Sequence, residues 1–186
     1  MNYSMLRTFL RSKSAVASVE FALIAPVLIF AFITIFVAAD ALRAKRSAHA
    51  VTSTMTDLIT RSSSIDLAQY NVIQSAGEAL LGRYNSLASD TVIVTTSVIN
   101  PIDNQDILEV QWSVSSVPGM ELQNNDLMNI EFPDIAEGDS IILVTTNFKY
   151  APIVAGAAAF EPFIELDSLT MRRPRFVRAI EFVNAP

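Results

Sequence analysis

Nineteen consecutive residues, Phe21 to Ala39, carry no charge, and only Pro26 and Thr34 interrupt their apolar character. At ~1.5 Å of rise per residue they make a helix of roughly 28 Å, close to the hydrocarbon thickness of a bilayer. A run of this length predicts one membrane-crossing helix. Arg7, Arg11 and Lys13 precede it, Arg43, Lys45 and Arg46 follow it, and one carboxylate stands at each edge, Glu20 and Asp40. Pro26 lies one turn inside and cannot donate to the carbonyl of Ala22, so a bend is expected there.

The rest of the chain differs in charge. Residues 1–46 carry a net charge of +4 and residues 47–186 one of −10. A basic end beside the membrane and an acidic remainder suit an anchored protein whose body faces water. The basic residues flanking the run number three on each side. The short N-terminal tail and the acidic body favour a cytoplasmic N-terminus and a body across the membrane. The body has no basic patch apart from Arg172–Arg178, which argues against nucleic acid as a partner. With no cysteine and a single histidine, His49, a disulfide framework and thiolate or histidine-rich metal sites are excluded.

Taken in order, residues 1–15 form a short basic cytoplasmic leader. The small residues Ser14, Ala15, Ala17 and Ser18 come before the apolar run, whereas a secretory signal places its small residues after it. That order suits a peptidase that cuts on the cytoplasmic side and leaves the helix on the mature protein. The helix is expected to run from 16 to 60 as a transmembrane and extended segment, its second half burying Leu42, Ala44, Ala48, Val51, Met55, Leu58 and Ile59. Residues 61–186 form an α+β domain. Ser63 and Asp66 resemble a capping box opening a second helix over 65–83, with Ile65, Val72, Ile73, Ala76 and Leu80 as its buried stripe.

From residue 91 the period becomes two. One strand alternates over Thr91–Val98; a second places Leu108, Val110, Trp112 and Val114 on one face. The polar segment 120–139 reads as an exposed excursion with a short helix near Asn125–Met128. A third strand groups Ile142, Val144, Thr146, Phe148 and Tyr150, and residues 164–172 form a fourth. The fold class is therefore α+β: a long N-terminal helix, a second helix and a small antiparallel sheet. Ile153–Phe163 is too short to cross a membrane again and reads as a covered loop or contact patch.

The run Ala15-Val16-Ala17-Ser18-Val19-Glu20-Phe21-Ala22-Leu23-Ile24-Ala25-Pro26, followed by an apolar helix and Asp40, resembles the N-terminal signature of the TadE/TadG-like proteins. These are minor-pilin-like subunits of the tight-adherence (Flp-type) pilus system. Phe148-x-Tyr150-x-Pro152 and Met171-Arg172-Arg173-Pro174-Arg175 also resemble parts of that family. The firm likeness covers about thirty residues. It implies cutting by a prepilin peptidase between Ala15 and Val16, which leaves Glu20 as the fifth mature residue. Alanine stands at position 15 where the family usually has glycine. It further implies a non-enzymatic role in pilus assembly, initiation or scaffolding at a bacterial inner membrane. Its partners would be other pilin-like subunits, the secretion machinery and membrane lipid, with no cofactor, metal, nucleic acid or small-molecule substrate.

Glu20 is the residue on which this reading turns. A carboxylate at the bilayer centre costs ~2.5–3.5 kcal/mol, and less near the edge. Buried between apolar helices it needs a positive partner. The new α-amino group of a neighbouring subunit would serve, so that Glu20, Phe21 and Pro26 set assembly register while Ala22, Ala25 and Ala31 permit close helix approach. Against this stands an interfacial glutamate favoured by the helix dipole alone. Two other classes stay open, a permanently anchored binding or adhesive module and a membrane-tethered hydrolase. No catalytic motif speaks for the latter.

Overall fold

In a computed structural model of the chain, residues 13–84, 91–102, 107–150 and 164–183 are described. The leader up to residue 12, the polar turn at 103–106 and the apolar stretch Ile153–Phe163 lie outside them. The fold is α+β. Helix α1 (Lys13–Thr60) and helix α2 (Leu67–Leu81) accompany strands β1 (Ser64–Asp66), β2 (Val92–Ile99), β3 (Glu109–Ser115), β4 (Ser140–Tyr150), β5 (Ile164–Arg172) and β6 (Glu181–Val183). A short 3-10 helix (Asn124–Asn129) stands where the sequence suggests one. By contacts, the described residues fall into two units, 13–41 and those between 42 and 183, so α1 contributes to both.

The second unit is built on an antiparallel sheet of order β3-β2-β4-β5, with a separate parallel pair, β1-β6. Residues 42–60 of α1 bury Ala44, Ala48, Val51, Met55 and Ile59 completely. Their spacing of three and four residues is that of one helix face. Leu42 and Leu58, which the sequence places on this stripe, are exposed at 57% and 39%. Thr52, Thr56 and Thr60 take the buried positions instead. Thr52 explains why a hydroxyl is accepted there: its Oγ1 lies 2.8 Å from Thr170 Oγ1 and 3.2 Å from Ser168 Oγ on β5. Thr56 Oγ1 donates to the Thr52 carbonyl at 2.5 Å, so burial leaves it satisfied.

α2 starts two residues later than the sequence suggests. Asp66 is its N-cap and accepts from the Gln69 amide at 2.7 Å, while Ile65 is buried in β1 rather than in the helix. The buried stripe is Tyr70, Gly77 and Leu81, with Ile73 and Gln74 half-buried beside them. Val72, Ala76 and Leu80 face outward. The reason is Gly77. A Cβ there would sit 2.6 Å from Met55 Sδ and 3.3 Å from Val51 Cγ1, so the two helices approach along a face with no side chain. Gly77→Val is expected to destabilise the protein by ~1–3 kcal/mol, as overpacking does. Gly77→Ala should cost less, because Met55 is pliable and alanine returns up to ~1 kcal/mol of helix propensity. Thermal melts followed by far-UV circular dichroism measure both.

Tyr70 reaches across from α2 to the sheet, its hydroxyl 3.4 Å from Thr95 Oγ1 and from the Val114 carbonyl. Burial pushes this phenol above its ordinary range, the hydrogen bond with Thr95 opposes that, and Glu78 adds to it.

In β4, Ile142, Val144, Thr146, Phe148 and Tyr150 are all buried and share one face, as their alternation predicts. β3 departs from its predicted single face. Ser97 pairs with Trp112 but Val98 pairs with Val110, so two residues of β3 pass against one of β2. This bulge reverses the facing of everything before it. Trp112 and Val114 lie on the face that receives Tyr70, whereas Val110 and Leu108 pack on the opposite face with Val98, Leu127, Ile135 and Ile141. Leu127 and Ile135 belong to the 120–139 excursion, which is therefore the cover of the second sheet face and not a fully exposed loop.

Candidate functional site

The candidate residues all lie on α1, within residues 13–41. Lys13 to Thr60 is one α-helix of 48 residues with Pro26 inside it. From Val16 to Phe36 every large apolar side chain is exposed, among them Phe21 at 68% and Leu23 at 71%. A water-soluble monomer does not leave so much contiguous apolar surface uncovered. The helix is long and apolar enough to cross a membrane once. Thr34, the polar residue within the run, donates to the Phe30 carbonyl at 2.8 Å and so carries no unmet hydrogen bond into an apolar medium.

Glu20 is exposed on this surface, and among the described residues no basic side chain pairs with it. Val16 lies one turn before it, and the Ala15–Val16 peptide bond falls within helical backbone. The helix period divides the three alanines. Ala22 and Ala25 are three residues apart and share a face. Ala31 comes eleven residues after Glu20, three turns to within ~20°, and lies on the face of Glu20. Ala22 and Ala31 are exposed and Ala25 is half-buried. Asp40, the carboxylate that closes the apolar run, is only 2% exposed, a contrast with Glu20 that the sequence does not signal.

The basic cluster near the C-terminus has an internal task. Asp57 on α1 receives Arg61 at 2.6 Å, Arg172 at 3.2 Å and the Arg175 guanidinium. The Arg175 amide also donates to the Thr60 carbonyl at 2.9 Å, which satisfies an acceptor at the end of α1. Arg173 donates to the Asp134 carbonyl in the cover segment. The cluster therefore fastens the end of α1 and the cover to the last strand of the sheet. Only the pairing of Asp57 with residues more than a hundred positions away could have disclosed this, and neither segment's pattern encodes it.

Among the described residues no group of three or more His, Asp or Glu side chains is placed to hold a metal ion. Comparison of the chain with protein-family models, with curated proteins and with solved structures yields no match.

Proposed function

We propose that this chain is a non-enzymatic, minor pilin-like subunit of the TadE/TadG-like kind. Its work is pilus assembly, initiation or scaffolding at a bacterial inner membrane, with the α+β body in the periplasm. The observation that carries the reading is α1 itself. One unbroken helix presents an uncovered apolar surface with a single exposed carboxylate at its N-terminal edge, and the same helix continues into the packed face of a small body.

The physical logic follows from the medium. Leaving lipid for a bundle of similar helices exchanges one apolar surrounding for another, so hydrophobic transfer contributes little to association. Close packing and polar contacts decide it, and the chain supplies both: the small residues Ala22 and Ala25 on one face, and Glu20 on another. Cutting after Ala15 gives Val16 a free α-ammonium. Paired with Glu20 of a neighbour, it neutralises a carboxylate that would otherwise resist entry into an apolar fibre. Phe21 and Pro26 shape the helix beside that contact.

Mass spectrometry of the mature N-terminus tests the route. Protein purified from membranes of cells carrying the assembly system is expected to begin at Val16. A start at Met1 would leave Glu20 without the proposed amine and would mark the chain as a permanently anchored module.

A further inference from the structure

We propose that the face of α1 formed by Lys45, Arg46 and His49 above Ala50, Ser53 and Thr54 is a headgroup site for an anionic phospholipid. These six residues line a recess of about 470 Å³. Lys45, Arg46, His49, Ala50 and Thr54 are exposed, and they lie opposite the packed stripe of Ala44, Ala48, Val51 and Met55. The chemistry of the lining suits a phosphate diester: two fixed cations, an imidazole and two hydroxyls. Arg172 adds a third fixed cation at the rim, donating to Ser53 Oγ at 3.3 Å. No carboxylate lines the recess. The neighbours on the helix are withdrawn, since Asp40 is buried and Asp57 is engaged by Arg61, Arg172 and Arg175.

Position along the helix selects a lipid over a soluble anion. The apolar run ends at Ala39. At ~1.5 Å per residue, Lys45 and Arg46 stand ~9–11 Å beyond it, just outside a headgroup layer of ~5–8 Å. Helical side chains lean toward the N-terminus, which here is the direction of the apolar run. Long basic side chains therefore reach back toward the phosphates, with their alkyl stems along the helix. The small residues on the following turn leave the space a headgroup needs. Neither peptidase cutting nor entry into a fibre is required, so the inference stands apart from the pilin-like reading.

The test uses the full chain in mild detergent, with equal phosphatidylglycerol and phosphatidylcholine, and counts bound lipids by native mass spectrometry. Retention of phosphatidylglycerol over phosphatidylcholine is expected by about tenfold or more, the scale that two surface cations provide. Combined Lys45→Gln, Arg46→Gln and His49→Gln should bring the ratio close to one with an unchanged circular dichroism melt, because these side chains support no packing. Combined Arg7→Gln, Arg11→Gln and Lys13→Gln should leave the preference intact. An unselective wild-type protein overturns the proposal, as does a preference that survives the recess substitutions. Displacement of the lipid by added inorganic phosphate also overturns it, because the recess would then be a site for the free anion.

Discussion

Trp112→Ala is expected to remove about 3–5 kcal/mol of stability, the usual cost of deleting a large buried aromatic. Against the ~5–15 kcal/mol that holds an ordinary domain, this change alone can leave much of the population unfolded. Trp112 is buried in β3, and its ring lies 5.2 Å from that of Phe182. Its indole N–H donates to the Ile180 carbonyl at 2.7 Å, across 68 residues of sequence. Phe182 also meets Tyr70 at 6.4 Å and sits in β6, which pairs with β1. One side chain thus joins the edge strand, the C-terminal segment and the entry to α2. Trp112→Phe separates the two contributions. It keeps much of the ring contact but leaves the Ile180 carbonyl without its donor, which should cost about 1–3 kcal/mol. Far-UV circular dichroism melts of the full chain in detergent compare the three proteins, since the alanine variant has no tryptophan to report by fluorescence. If Trp112→Ala melts within a degree or two of the parent, the indole is not the clasp described here.

This clasp also marks where the sequence stops being readable. The apolar run, the continuation of α1 and the buried face of β4 are local patterns, and each follows from composition and period alone. The face of β3 does not, because one extra residue opposite Ser97 and Val98 reverses Leu108 and Val110 relative to Trp112 and Val114. An unbroken alternation of apolar residues conceals such a bulge when both sheet faces are covered. The second cover was hidden as well, since the 120–139 segment is polar enough to read as exposed while Leu127 and Ile135 anchor it. On α2 a glycine conceals the stripe: a position with no side chain gives no apolar signal, yet a Cβ at Gly77 would meet Met55 and Val51 of α1. Glu20 and the alanines stand out as candidates by their position in an apolar run, and the helix period sorts Ala22 and Ala25 from Ala31. The burial of Asp40 depends on tertiary surroundings that no local pattern specifies.

If the chain assembles as proposed, Glu20→Gln is expected to abolish its incorporation into assemblies while leaving membrane insertion and the fold of the body intact. Glu20 is exposed on α1 and supports no packing among the described residues, so the substitution should not move the melting curve. Insertion should become slightly easier, because an amide enters an apolar medium at lower cost than a carboxylate. The loss falls on association. Under the proposed pairing, glutamine leaves the neighbour's α-ammonium buried without its counter-charge, and removing one partner of a desolvated pair costs roughly 2–5 kcal/mol per contact. That is a thirtyfold or greater weakening per interface, and every subunit added along a fibre would incur it again. Glu20→Asp keeps the charge on a shorter arm and should retain partial assembly, which distinguishes ion pairing from simple polarity. The readout is the fraction of the protein that co-purifies with other pilin-like subunits from detergent-solubilised membranes, alongside surface piliation. Equal recovery of Glu20→Gln and the parent would remove the carboxylate from the assembly contact. Loss in the Asp variant as complete as in the Gln variant would mean that side-chain length outweighs charge. Graded loss, with Asp between the parent and Gln, is the pattern that a buried carboxylate–ammonium pair requires.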